Sequence, residues 1–90
     1  MSDADDRFVE RLADKLAPLL GPRLRVTAID LERPTGDRVR IVVTVETSAK
    51  PRLMIEEGDS LTDVTSRLLA KAPEVRLGEA MREIMDGVRV

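Results

Sequence analysis

Apolar positions recur along this chain at two different periods. Val39, Ile41, Val43 and Val45 alternate with Arg40, Val42 and Thr44, the period-2 pattern of a strand with one buried face. Val42 is the exception, an apolar residue on the polar side. Upstream, Leu24, Val26 and Ala28 share one parity, whereas Ile29 and Leu31 share the other. A one-residue slip moves every side chain to the opposite face, so the pattern predicts a β-bulge near Ala28 and Ile29 that restores the phase. Between the two runs lies Arg33-Pro34-Thr35-Gly36-Asp37-Arg38, where Pro34 fixes φ and Gly36 tolerates positive φ. Residues 23–45 therefore read as an antiparallel hairpin.

On either side the period changes to that of a helix. Phe8, Val9, Leu12, Leu16, Leu19 and Leu20 recur at steps of three and four and predict a helix over 3–17. Ser2 or Asp3 can cap it, and Asp5 and Asp6 suit the positive end of its dipole. Pro18 is expected to kink or loosen the last turn before Gly21-Pro22 stops it. Leu61, Val64, Leu68 and Ala72 predict a second helix over 60–72, with Ser60 as N-cap, Asp63 at the capping-box position and Pro73 as its end. Leu77, Met81, Ile84, Met85 and Val88 predict a third, with Gly87 near its end and, over 88–90, either a frayed tail or a segment that pairs with a sheet edge. Gly78 shortens that helix to a start at Glu79. Thr47 to Arg52 reads as a loop, and Leu53-Met54-Ile55 as either a brief third strand or a loop tucked under the hairpin.

The expected class is α+β: helix-strand-strand-helix-helix, an antiparallel hairpin covered by helices on one face, with residues 1–90 as a single small domain. A two-stranded sheet is marginal alone and its edges need management. A homodimer in which a second copy adds its strands is therefore expected.

Composition narrows the function. With no histidine and no cysteine, the usual general base, the thiol nucleophile, disulfides and thiolate metal sites are absent. No Gly-x-x-x-x-Gly-Lys-Ser/Thr, Gly-x-Gly-x-x-Gly or Gly-x-Ser-x-Gly occurs. The expectation is a non-enzyme without cofactor. Neither a secretion signal nor a membrane-length apolar run is legible, so a cytoplasmic protein without a membrane partner is expected. One phenylalanine and no Trp or Tyr leave the core to aliphatic side chains and methionine.

Charge is unevenly placed. Residues 23–52 hold seven bases and four acids, whereas residues 53–90 hold five bases and eight acids. The hairpin is basic between acidic helices. Its strip of Arg23, Arg25, Arg33, Arg38, Arg40, Lys50 and Arg52 can grip phosphate, pair with a protein's carboxylates, or pair locally with Asp30, Glu32, Asp37 and Glu46 or with the acidic helices. No aromatic side chains accompany it for base stacking. Met81 and Met85, with Met54, Ile84 and Val88, form either core or an adaptable protein-binding face. Glu56-Glu57-Gly58-Asp59 with Asp63 is the strongest concentration of hard-cation ligands. A solvated turn whose acids complement a helix start is the preferred explanation, and no metal site is assigned.

Leu16-Ala-Pro-Leu-Leu-Gly21, then Leu24-x-Val-x-x-Ile-Asp-Leu and Val39-x-Ile-Val-Val, resemble the N-terminal domain of the bacterial ribosome maturation factor over residues 9–46. That family has a helix ending in a similar Pro-Leu-Leu phrase, a two-stranded run and a helix, so the resemblance implies an α+β fold and a ribosomal partner. Beyond Leu53 the chain departs from the family's strand-rich continuation. The element order also resembles the scaffold domain of NifU-like proteins, whose Cys-x-x-Cys is missing here, so no cluster-carrying role transfers.

The expected function is a small non-catalytic protein–protein interaction module, working as a homodimer and binding a protein partner. The alternative is an RNA- or ribosome-associated factor gripping phosphate through the basic hairpin. The binding residues expected are Arg23, Arg25, Arg38, Arg40, Lys50, Arg52, Met81 and Met85.

Overall fold

The hairpin forms with the phase change expected of it. In the computed structural model, which describes residues 3–88, β1 (Arg25–Glu32) pairs antiparallel with β2 (Val39–Glu46). The register pairs Leu31 with Ile41 and Ile29 with Val43, then shifts between Val26 and Ala28. Thr27 is the extra residue of the bulge, one position before the expected site, and its hydroxyl donates to the Thr44 carbonyl at 3.4 Å. With that residue set aside, Val26 returns to the same face as Ile29 and meets Val45.

Leu53-Met54-Ile55 belongs to a third strand, β3 (Arg52–Gly58), which pairs antiparallel with β2 from Val45↔Arg52 to Val39↔Gly58. The sheet order is β1-β2-β3. Alternation along β3 turns Met54, Glu56 and Gly58 toward the helices and Leu53, Ile55 and Glu57 away from them.

Both helices lie on one face of this sheet, as expected. Helix α1 (Asp3–Leu20) runs through Pro18 and ends at Gly21, whose φ is +83° and whose amide donates to the Ala17 carbonyl at 3.0 Å. Glycine is required there because other residues are strained at that φ.

The two C-terminal helices of the expected order are one helix, α2 (Leu61–Val88), which continues through Pro73 and Gly78. Its start is as expected: the Asp63 amide donates to the Ser60 hydroxyl at 3.1 Å. The reason it continues lies in its packing. Val64, Leu68 and Ala72 before the proline and Val75 and Glu79 after it occupy the same sheet-facing stripe. Burying both halves of that stripe outweighs the lost hydrogen bond and ring clash, about 3 kcal/mol in an isolated helix. Pro73 itself sits on the exposed side.

The core is a single aliphatic cluster. Leu12, Leu16 and Leu20 of α1 and Val64, Leu68 and Ala72 of α2 meet Ile29, Ile41, Val43, Val45 and Met54 of the sheet. The molecule is elongated, 51 × 20 × 19 Å. A helix of 28 residues is about 42 Å long, against about 23 Å for a strand of seven residues. The last turns of α2 therefore project past the sheet. The expected Ser2 cap and the tail residues Arg89 and Val90 lie outside the described residues.

Candidate functional site

Two surfaces gather the residues singled out in the sequence. The first is the open face of the sheet. The middle strand contributes Arg40, Val42 and Thr44, and β3 sets Glu57, Ile55 and Leu53 directly opposite them. Leu53 and Ile55 are 59% and 48% exposed. Beside this small apolar strip stands a charge network centred on Glu57. Arg40 Nε donates to Glu57 Oε1 at 2.9 Å, Arg38 Nη2 to Glu57 Oε2 at 3.0 Å, and Arg38 Nη1 to Asp59 Oδ1 at 2.8 Å. Arg40 also reaches Glu32 at 3.3 Å. The hydrogen bond from Arg38, then that from Arg40, holds the Glu57 carboxyl below the usual carboxylate range. The same acids push the guanidinium pKa values of Arg38 and Arg40 up.

The remaining predicted bases are dispersed. Arg23 pairs with Glu83 of α2 across the end of the sheet. Arg52 lies on the helix side, 3.5 Å from Glu79, which is buried and also accepts from Arg82 Nη2 at 2.7 Å. Arg25 and Lys50 are exposed, and neither makes an ion pair among the described residues. Arg25 lines a shallow groove with Gly21 and Arg76. Arg33, outside the strand ends, pairs with Asp5 of α1 at 3.2 Å.

The acidic stretch is split by the strand that carries it. Glu56 points to α2, where Lys71 Nζ donates to it at 2.6 Å, and Glu57 points to the opposite face. Among the described residues no three acids converge on a cation-sized space.

The second surface is on α2. The methionines separate: Met54 is core, whereas Met81 and Met85 are 57% and 65% exposed. With them stand Leu77 at 61% and Ile84 at 66%. Steps of four, three and one put these four on a single face, opposite the stripe packed on the sheet. Glu79 is not among the residues the sequence singles out for a role, although its place on the apolar stripe of α2 marks it. A charged residue in register with Leu68, Ala72 and Val75 must find a partner of opposite charge. Arg52 and Arg82 are those partners, and they pin the helix where it leaves the sheet.

No protein-family model, no curated protein and no solved structure matches this chain. The likenesses seen over residues 9–46 thus remain local to the motifs that carry them. Function has to be argued from the surfaces themselves. Among the described residues no helix is long and apolar enough to cross a membrane.

Proposed function

We propose that the chain is a small non-catalytic protein–protein interaction module that associates through the outward face of α2. The observation that carries this reading is the stripe of Leu77, Met81, Ile84 and Met85, all more than half exposed on the face turned away from the sheet. Four large apolar side chains at helical spacing on one exposed face are anchors of the kind a helix offers to an apolar groove or to another helix. Methionine at two of the four positions suits a surface that adapts to its partner.

Two further features support it. The chain has no histidine or cysteine, and the carboxylates Glu56, Glu57 and Glu79 are each held by lysine or arginine. The alternative, phosphate held by the basic hairpin, has less support. Arg38 and Arg40, its central residues, already serve Glu57, Asp59 and Glu32, so an incoming phosphate must displace three carboxylates.

Binding partners retained by the wild-type chain from its native host separate the readings when three forms are compared. The interaction reading expects Met81→Glu with Met85→Glu to lose the partner while Arg38→Glu with Arg40→Glu keeps it. It also expects binding to survive a rise in salt, whereas phosphate-driven binding falls steeply. Loss with the arginine variant alone, and in high salt, contradicts it.

A further inference from the structure

The outward face of α2 is unlike the rest of this surface. Stepping along it from the middle of the helix, Ser66, Ala70, Pro73, Leu77, Met81 and Ile84 follow at intervals of four and three, all exposed and none charged. In a chain of which 36% of residues are charged, this line of six uncharged positions stands out, with the exposed Glu74 and Arg67 at its edge. Their sizes are ordered as well. The half nearer the start of the helix is small, and the half nearer its end is bulky.

That ordering makes the face complementary to itself when reversed. Laid antiparallel against a second α2 about a two-fold axis on the outward face at the level of residue 75, Leu77 meets Pro73, Met81 meets Ala70, and Ile84 meets Ser66. Each bulky residue of one copy then fills the space left by a small residue of the other. Parallel pairing sets bulky against bulky and leaves a gap along the small half. We propose that the occupant of this face is a second copy of the chain, docked antiparallel through α2 in that register. The proposal rests on the reading of the stripe as a docking surface and names its partner.

Shape and area agree. The two-fold relation is isologous and closes at two copies. Each sheet lies on the far side of its own helix, so the bodies do not obstruct the contact, and the projecting end of each α2 runs beneath the body of the other copy. A helix pair overlapping over most of its length buries ~1,200 Å² in total, at the low end of specific interfaces. The dimer is therefore a reversible one.

The absence of cysteine makes the register testable without background. Ala70→Cys and Met81→Cys replace exposed residues, and within one chain they are separated by about 16 Å of helix, too far for a disulfide, which needs Cα atoms within about 7 Å. Under mild oxidation the double variant is expected to give a covalent dimer on non-reducing gels, while each single variant stays monomeric. Circular dichroism shows whether the variants keep the fold. Sedimentation of the unmodified chain from about 10 to about 500 µM is expected to show a monomer–dimer equilibrium. Dimerisation of Ala70→Cys alone signifies parallel pairing and overturns the proposal. A wild-type chain that stays monomeric throughout, with no cross-link in the double variant, also overturns it. The stripe then remains a docking surface for a different protein, a reading that fails separately if Met81→Glu with Met85→Glu changes no association at all.

Discussion

Arg40 and Glu57 face each other across the β2–β3 pair, and the guanidinium donates to the carboxylate at 2.9 Å. With Arg38 on the other carboxylate oxygen, Glu57 is the hub of the open sheet face. Its pKa in the folded chain is lowered by the bonds from Arg38 and Arg40. A carboxyl depressed on folding contributes stability that is fully present above its unfolded pKa and is lost as pH falls through the folded value. Urea denaturation as a function of pH should therefore show the wild type losing stability on the acid side of the ordinary glutamate range. Glu57→Gln should flatten that limb and leave the slope around neutral pH unchanged. Because the hub is open to solvent, added salt should shrink the difference.

Pro73 gives a second test. It lies inside α2 with the helix continuous on both sides, held there by the packing of Val64, Leu68, Ala72 and Val75 rather than by its own propensity. Pro73→Ala restores one main-chain hydrogen bond and removes the ring clash, so it should stabilise the monomer by about 1–3 kcal/mol. Urea titration at low protein concentration measures this. A destabilised variant means that the helix is broken at this point.

The two faces of α2 should respond differently to the same truncation. Leu68 is fully buried among β-sheet and α1 residues, and Leu77 is mostly exposed. Leu68→Ala should cost about 2–5 kcal/mol through lost burial and the cavity left behind. Leu77→Ala should change monomer stability by less than about 0.5 kcal/mol while weakening association. Equal losses in thermal or urea unfolding would mean that Leu77 is part of the fold.

Much of this architecture can be read from the residues, and the misses have physical causes. The alternation of Val39 to Val45 and the parity flip around Thr27 specify the first two strands and their bulge, because a buried face leaves only one register. β3 is hidden because both its faces carry apolar residues. Leu53 and Ile55 look out, Met54 looks in, and the inward position after Met54 is Glu56, which reads as surface until Lys71 and Arg67 are seen to hold it. The break expected at Pro73 follows from local chemistry that tertiary packing overrides. The basic strip is legible, and so is part of its neutralisation, since Glu32 on the hairpin takes Arg40. Glu57 and Asp59, which engage Arg38 and Arg40 more closely, are not legible as partners because they lie on the third strand and at its end rather than on the hairpin itself. Met81 and Met85 share their spacing with core residues, so periodicity alone does not tell an inward stripe from an outward one.

Methyl resonances of the methionines test the central claim that the outward face of α2 is a contact surface. In a chain labelled at the methionine methyls, Met81 and Met85 should shift or broaden as concentration rises or as a partner is added, while Met54, buried in the core, stays in place as an internal reference. Unchanged Met81 and Met85 signals under conditions where the chain associates would place the contact elsewhere and contradict the account.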